Sequence, residues 1–485
     1  MGGLPLFYMI DSTKNKKENL SILLVTPPQS EAYGRLRAPF QMHMGLAYLV
    51  SLVQENNVKI LDMDAEGIDF QKFSALIRKE QFDIAGFTVT TPLFFPSLKL
   101  AQLVKNYSSG TLVVFGGVHP TVRPYEVLNF DSVDLVVKGE GEITFKEIVD
   151  CLKENKSFLT VAGIAYKENG IIKETPPRTL ISDLDTLPFP ARHLFKNRQY
   201  TYPDSLYKAT APIITSRGCP GMCTFCTSHN IFGRKFRARG AKNVADEIEL
   251  LVKQWKIKEI HIWDDNFTAI KQRVFEIRDE ILKRNLKVKF AFPNGIRADS
   301  LDREILEALS KMGTYSLAIG VESGSQEILD RCRKGIRLEE VEKIFGLAKK
   351  MHFETWAFFM IGLPGDNPDT IKQTIDFAKK IDPDVVKFHI LKPYPGSEVY
   401  DYLRAKNYIL SEDYNRFGIH TPAVHRLEEL EPSAILEWQR RAYISFYFRP
   451  QKILKEILRL KTFNRFILNF RAAQGLLKMI LFKKS

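Results

Sequence analysis

The sequence predicts an α/β protein with two parallel-sheet domains and a helical C-terminal region. Short apolar runs alternate with helical patterns, and this alternation occurs twice, over 20–155 and again over 207–425. The length supports this division, because 485 residues are too many for one hydrophobic core. Residues 1–19 form an N-terminal extension, and 426–485 form a basic, helical C-terminal region.

The first series has the pattern of a doubly wound, Rossmann-like sheet. Apolar runs predict strands at 21–26, 58–61, 83–88, 111–115 and 134–137, and helical patterns fall at 45–53 and 97–105. Strands that alternate with helices form parallel sheets, and ligands bind at the carboxyl ends of such strands. We therefore expect a ligand at that edge of the first domain.

Residues 156–206 have a different pattern. The stretches 161–166 and 170–174 predict a small hairpin, and four prolines interrupt the chain after it, namely Pro176, Pro177, Pro188 and Pro190. Prolines at such spacing favour irregular structure. The sequence therefore predicts a linker between the two domains.

The second series contains six repeats of strand and helix. The strands are predicted at 212–216, 259–263, 288–292, 316–320, 355–361 and 385–391, with helices such as 243–254 and 302–311 between them. Six such repeats predict a partial, open (β/α)6 barrel of the TIM type. Its site is expected at the carboxyl ends of the strands.

Three cysteines follow the first barrel strand in one short loop. Cys219, Cys223 and Cys226 have the spacing Cys-x3-Cys-x2-Cys, which can bind three irons of a 4Fe-4S cubane and leave the fourth open to substrate. The alternative is a zinc site, but zinc sites favour paired Cys-x2-Cys knuckles, and the sequence has no second pair. Cys151 and Cys332 stand alone, and we expect neither to be a ligand.

Around this loop the chain resembles the radical S-adenosylmethionine (SAM) superfamily over 207–425. The resemblance implies a 4Fe-4S cluster on the three cysteines, and a SAM molecule that is cleaved reductively to a 5′-deoxyadenosyl radical. A low-potential donor such as flavodoxin or ferredoxin would supply the electron. The positions that match the family's SAM contacts are Phe225, Asp264, Asp265, Glu322, Ser323, Gly362 and Leu363.

Each of these segments alone is weak evidence for a SAM contact, and their order behind the cysteine loop supports them together. Phe225 occupies the position that packs on adenine in the family, and Asp264 and Asp265 follow the second strand, where the amino group of SAM binds. The two aspartates could instead cap a helix. Gly362 and Leu363 begin a Gly-Leu-Pro-Gly segment that could be a plain turn.

Residues 20–155 resemble the cobalamin-binding domain that precedes this barrel in one large radical SAM class. Five segments carry the resemblance: 45–49, Asp62, 86–90, 116–121 and 139–142. It implies a set of cobalamin contacts, which are Thr88, Thr90, Gly116, Gly117, Gly139 and Glu140.

The histidine that ligates cobalt in many cobalamin domains is missing here. Asp62-Met-Asp-Ala-Glu-Gly67 resembles the Asp-x-His-x-x-Gly motif, but Asp64 stands in place of the histidine. We expect His43 to be a loop residue rather than a cobalt ligand. Two alternatives follow: cobalamin binds without a protein ligand, or the domain has lost it.

Positive charge is concentrated at the C-terminus. The net charge is +13, and residues 441–485 contain eleven Lys or Arg and one Glu. Apolar residues recur there at helical spacing, from Ile453 to Phe470. The region could cap the barrel, or it could lie on an anionic membrane. Nucleic acid is not expected as a partner. No apolar run reaches the ~18 residues of a membrane span. We therefore expect a cytoplasmic protein that could bind the membrane surface as a peripheral protein.

These resemblances together predict a radical SAM enzyme that methylates an unactivated carbon with the help of cobalamin. The substrate would be a small or lipid-like molecule. An alternative enzyme is a radical SAM oxidoreductase or cyclase of the anaerobic porphyrin ring-forming type. A non-enzymatic sensor based on cobalamin or the cluster is a third possibility.

Overall fold

The first domain is a seven-stranded sheet with helices on both faces. The computed structural model describes residues 17–29, 42–195, 200 and 205–458. The strands are β1 Ser21–Thr26, β2 Asn57–Asp62, β3 Ile84–Thr88, β4 Leu112–Gly116, β5 Leu135–Val137, β6 Ile164–Glu168 and β7 Ile171–Glu174. The helices are α1 Met44–Ser51, α2 Phe70–Lys79, α3 Phe94–Tyr107, α4 Val118–Val122, α5 Pro124–Leu128 and α6 Gly141–Lys153.

The strand order is β2-β1-β3-β4-β5-β6-β7, and β1 to β5 run parallel. Alternate residues of β1 enter two separate cores, with Ile22 and Leu24 on one face and Leu23 and Val25 on the other. Burial on both faces explains the continuous apolar runs in the sequence. The order reverses between β1 and β3, and the carboxyl ends of the strands at such a reversal are where ligands bind in doubly wound sheets.

The predicted hairpin extends this first sheet. We expected it within a linker, but β6 pairs antiparallel with β5, and β7 pairs with β6. Ile164, Ala165 and Tyr166 are buried, so the hairpin covers the edge of β5 that would otherwise expose unpaired backbone groups.

The second domain is an open barrel of six parallel strands in the order β8-β11-β12-β13-β14-β15. These strands are β8 Thr210–Ile213, β11 Glu259–Ile262, β12 Lys289–Arg297, β13 Thr314–Glu322, β14 Glu354–Ile361 and β15 Val385–Ile390. The helices are α7 His229–Phe232, α8 Ala241–Lys253, α9 Lys271–Lys283, α10 Arg303–Met312, α11 Gln326–Arg331, α12 Leu338–Lys350, α13 Pro368–Ile381 and α14 Glu398–Ala405. The six predicted repeats are all present.

The first barrel strand ends earlier than predicted. β8 stops at Ile213, and Ser216–Arg217 is a separate short strand, β9, which pairs antiparallel with β10 Arg237–Ala238. Between β8 and β9, Thr215 donates hydrogen bonds from its backbone N and its hydroxyl to Asp264. The cysteine loop therefore follows a bend and a second pairing, not the strand itself.

The C-terminal region begins as a cap on the barrel. Helix α15 Pro432–Tyr447 packs on β15, where the Phe388 and Val386 backbone N–H groups donate to the hydroxyls of Tyr443 and Tyr447. In α16 Pro450–Leu458, Lys452 donates to two backbone carbonyl groups. The apolar positions beyond 458 lie outside the described residues. Among the described helices, none is long and apolar enough to cross a membrane.

Candidate functional site

The cysteine loop is shaped by backbone contacts that only glycine permits. Gly218 has φ +81°, and a Cβ there would lie 2.5 Å from the Lys235 carbonyl oxygen. Within the loop, Gly221 N donates to Cys219 Sγ at 3.4 Å, and Cys226 N donates to the Cys223 carbonyl at 3.2 Å. These contacts hold the three thiols on one short turn.

The environment of the thiols suits a cluster better than a single metal ion. Within the described part of the chain, no three His, Cys, Asp or Glu side chains form a group that could hold one metal ion. A cubane binds each cysteine to a different iron, so its ligands need not converge. Burial raises the pKa of Cys226 to about 11, but metal binding deprotonates a thiol. Arg297 adds positive charge, because its Nη1 donates to Cys223 Sγ at 3.5 Å.

A cavity of about 420 Å³ opens beside the loop. Phe225, Cys226 and Asp265 line it together with Val118 of the N-terminal domain, so the cavity lies between the two domains. The remaining lining residues are Thr227, Ser228, Ile231 and Phe232. Asp265 accepts a hydrogen bond from Ser228 Oγ at 2.7 Å, and burial raises its pKa. Phe225 and Asp265, both predicted SAM contacts, are thus brought together at the cysteines.

Asp264 is bound by residues of its own chain, and its contact with SAM stays a prediction. Its carboxylate accepts from Thr215 N (2.6 Å), Thr215 Oγ1 (2.5 Å) and Ser216 Oγ (2.6 Å), and its side chain is buried. Both oxygens are therefore used to hold the bend between β8 and β9. Neither aspartate caps a helix, since α9 begins only at Lys271.

Two predicted SAM contacts, Glu322 and Ser323, lie at the end of β13, and Glu322 is connected to the cysteine loop. Glu322 adopts a left-handed backbone (φ +69°) and pairs with Lys334 at 2.6 Å. The Lys334 carbonyl accepts from Arg297 Nη2, which links this ion pair to the cysteine loop. Ser323 instead contacts Thr374 of α13 at 3.1 Å and is fully buried, so it does not reach the cavity.

Gly362 and Leu363 form a turn closed by Asp366. Both backbone N–H groups donate to Asp366 Oδ2 at 3.0 Å, and the Gly362 carbonyl accepts from His425 Nε2 at 2.8 Å. Burial raises the pKa of Asp366 to about 6. The Leu363 side chain is fully buried in the barrel core. A contact of this turn with SAM would have to use atoms other than these N–H groups.

The carboxyl ends of the first sheet fit a bound cobalamin in part. The Thr90 hydroxyl is buried after β3 and has no hydrogen-bond partner in the described chain, so it is free to bind a ligand. A Cβ on Gly116 or Gly139 would meet nothing closer than 3.9 Å, which leaves room beside both. Gly117 is different, because its Cβ would lie 2.8 Å from the Val89 carbonyl oxygen. The protein's own backbone therefore requires this glycine.

Glu140, a predicted cobalamin contact, pairs with two arginines of the barrel. Its carboxylate pairs with Arg217 and Arg237, both at 2.9 Å, and Glu142 pairs with Arg217 as well. These four side chains are buried, and we call them the interdomain ion cluster. Because Arg217 lies two residues before Cys219, the cluster ties the cysteine loop to the first domain.

His43, expected to be a loop residue, is the N-cap of α1. Its Nδ1 accepts from Leu46 N at 3.2 Å and caps α1, while Nε2 contacts Thr88 Oγ1 at 3.0 Å. Both ring nitrogens are therefore occupied. Asp64, at the position of the missing histidine, accepts from Gln29 N at 2.6 Å. The described residues at these two positions thus suit cobalamin without a histidine ligand.

Sequence reasoning missed four basic residues of this site. They are Arg217, Arg237, Arg297 and Lys334. One signal was available, because Arg217 directly precedes the cysteine loop; Arg297 ends β12, five residues beyond the strand that the sequence predicted at 288–292. Active sites of such barrels lie at the carboxyl ends of the strands, which is where β12 places Arg297.

A doubly wound domain and an open barrel that meet over a three-cysteine loop define a class of radical enzyme with two cofactor domains. The Radical SAM superfamily model matches residues 213–378, and the B12 binding domain model matches 37–149. An uncharacterized methyltransferase of Pyrococcus horikoshii is 35% identical over 95% of this chain and 98% of its own length. The chain therefore belongs to the family of radical SAM proteins with a B12-binding domain.

Two further comparisons agree with this assignment. An anaerobic magnesium-protoporphyrin IX monomethyl ester cyclase of Rubrivivax gelatinosus is 27% identical over 75% of this chain and 66% of its own length. The solved structure of the cobalamin-dependent S-adenosylmethionine radical enzyme OxsB has the same fold, with a TM-score of 0.74 and 18% identity over 95% of this chain and 72% of that one. The protein is a radical SAM enzyme whose cofactors are a 4Fe-4S cluster, SAM and cobalamin.

Proposed function

We propose that the protein is a cobalamin-dependent methyltransferase that replaces a hydrogen on an unactivated carbon with a methyl group. One observation carries the proposal: the cavity beside Cys226 is lined by residues of both domains. A substrate held there would lie between the cysteine loop and the carboxyl ends of the first sheet. The methyltransferase name of the Pyrococcus relative, which aligns over nearly the whole chain, supports the same reaction type.

The chain's own residues would bind the cofactors, orient them and exclude water. Cys219, Cys223 and Cys226 would hold the cluster, and Asp265 presents a buried carboxylate beside Cys226 for a cationic group. Phe225, together with Val118, Ile231 and Phe232, makes the cavity wall largely apolar. When bound, the cluster and SAM supply hydrogen-atom abstraction, and cobalamin supplies a transferable methyl group. An apolar wall protects such reactive species from water.

A cyclase or oxidoreductase is the second candidate, because a ring-forming cyclase is among the relatives. The mass of the product separates the two. Methylation adds one CH2 to the substrate, whereas ring closure or oxidation removes hydrogens. A sensor would show neither product and would not cleave SAM under strong reductant.

The proposal is tested with the reconstituted holoprotein under anaerobic conditions. Reduced wild-type protein should cleave SAM to 5′-deoxyadenosine, and Cys219→Ala, Cys223→Ala or Cys226→Ala should each abolish cleavage because an iron ligand is lost. Cys151→Ala is the matched control, since Cys151 lies on α6 of the other domain and should leave cleavage unchanged. SAM cleavage at the wild-type rate by Cys223→Ala would overturn the assignment of the cluster.

We also propose that the substrate is a small or lipid-like molecule and that the protein contacts the membrane surface. Candidate small molecules and lipids are incubated with SAM and a reductant, and the products are read by mass spectrometry. A lipid-like substrate is favoured by the basic C-terminal region, which could contact anionic membranes. That contact predicts sedimentation with anionic liposomes and release by salt. Equal binding to neutral liposomes would argue against it.

A further inference from the structure

Strands β14 and β15 present one row of side chains to the inside of the barrel. Phe358 pairs with Lys387, and Met360 pairs with His389, so these side chains share one face of the sheet. The opposite face carries Phe388, which packs edge-on against Tyr443 of the covering helix α15. Since the helices cover the outside, the row that contains Lys387 and His389 faces the interior.

This row lies at the level of the cysteine loop. Strand pairing places Arg297 beside Gly320, Gly320 beside Phe358, and Phe358 beside Lys387. Arg297 itself donates to Cys223 Sγ. A molecule held against Lys387 would therefore lie in the same layer of the barrel as the residues that support the cluster.

Lys387, the cation of this wall, has no acidic partner among the described residues. Lys387 makes no hydrogen bond or ion pair with the described residues, and its ammonium lies over the rings of Trp356 at 4.7 Å and Phe358 at 5.7 Å. His389 packs edge-on against Phe358, with 6.2 Å between ring centroids. Burial, then Lys387 and His420, lower the pKa of His389 to about 4. His389 is therefore uncharged at neutral pH, and Lys387 carries the positive charge of this wall.

The ring faces of Trp356 and Phe358 attract the Lys387 ammonium, but they carry no net charge that would neutralise it. Charges in partly buried positions are normally paired, because desolvation is otherwise costly. A cleft lined by one sign of charge concentrates ligands of the opposite sign. The wall of Lys387 and His389 beside Trp356 and Phe358, hereafter the basic wall, therefore has the chemistry of an anion site beside a flat apolar surface.

We infer that the basic wall binds an anionic group of the substrate, a carboxylate or a phosphate ester, with an adjoining flat or apolar portion against Trp356 and Phe358. The inference rests on the proposed function, since it names the class of molecule on which that function acts. It concerns binding alone, so it can be tested without turnover.

The test is isothermal titration calorimetry on the holoprotein with cluster, cobalamin and SAM in place. The probes are phenyl phosphate, benzoate and the neutral benzyl alcohol, which separate a phosphate ester from a carboxylate and both from apolar binding. Wild-type protein should bind one or both anions more tightly than benzyl alcohol. Lys387→Met keeps the apolar stem and should weaken anion binding by about tenfold or more, whereas Lys387→Arg should retain most of it.

Lys253→Met is the matched control, because Lys253 pairs with Glu249 on the exposed surface of α8 and should leave binding unchanged. Unaltered cluster and cobalamin absorbance verifies that each variant is folded. The inference is overturned if neither anion binds the wild-type protein, if benzyl alcohol binds as tightly, or if Lys387→Met has no effect. Anion binding by a protein that transfers no methyl group would defeat only the proposed reaction.

Discussion

His43 is held as a neutral imidazole inside the first domain. Its two ring nitrogens contact Leu46 N and Thr88 Oγ1, and burial lowers its pKa from 6.5 to about 4. Below pH 6.5 the unfolded chain binds a proton at this residue that the folded chain does not bind. The stability that His43 contributes is therefore complete above pH 6.5 and is lost as the pH falls toward 4.

His43→Asn should flatten this pH dependence. Asparagine is also a good helix N-cap, so α1 keeps its cap while the titrating group is removed. Between pH 7 and pH 5 the wild-type protein should lose about 2 kcal/mol more stability than the variant, read as a larger fall in Tm. His193→Asn, at an exposed position, serves as the control. Parallel Tm curves for wild type and His43→Asn would contradict this account.

Adjacent residues show how far the sequence predicts the site. The end of a predicted strand indicated that Asp264 and Asp265 lie at the carboxyl edge of the barrel, and both do. Only Asp265 lines the cavity, because Thr215 and Ser216 bind Asp264. That division depends on the bend after β8, which the apolar pattern does not reveal. The same limit applies to Glu140, whose partners lie in the other domain.

The backbone that follows β4 passes close to the backbone that follows β3. Gly117 has φ +106°, and a Cβ there would lie 2.8 Å from the Val89 carbonyl, whereas Gly116 has room for a side chain. Gly117→Ala should therefore lower the free energy of unfolding by about 1–3 kcal/mol, and Gly116→Ala should change it little. Thermal unfolding of both variants measures this difference. Equal destabilisation by the two substitutions would show that the close approach is not what requires glycine.

Elements were predicted well where burial alone determines them. The five parallel strands of the first sheet and all six barrel strands were found, because each is a continuous apolar run between turn residues. The hairpin β6–β7 was found too, but not its sheet partner. Its attachment to β5 is a long-range pairing, and local periodicity contains no information about which edge a strand joins.

The two domains are joined through buried charges as well as through apolar contacts. Glu140→Gln would leave Arg237 without its acidic partner in the interdomain ion cluster. Breaking a buried pair costs about 3 kcal/mol or more, so the domains should separate more readily. Limited proteolysis within 175–205 should then be faster than in the wild type. Glu174→Gln, which breaks the partly exposed pair with Lys138, is the control and should have little effect.

The interdomain ion cluster also limits how this protein can be recombined with its relatives. A chimaera that joined this barrel to a foreign B12-binding domain would bury Arg217 and Arg237 against a surface that had evolved with other partners. Glu140 and Glu142 would have to be transplanted with the barrel. Without them, two buried guanidinium groups would lack their acidic partners, one of them only two residues before Cys219. In this protein, the motif 139–142 and the segment around 217–237 therefore form one unit of exchange.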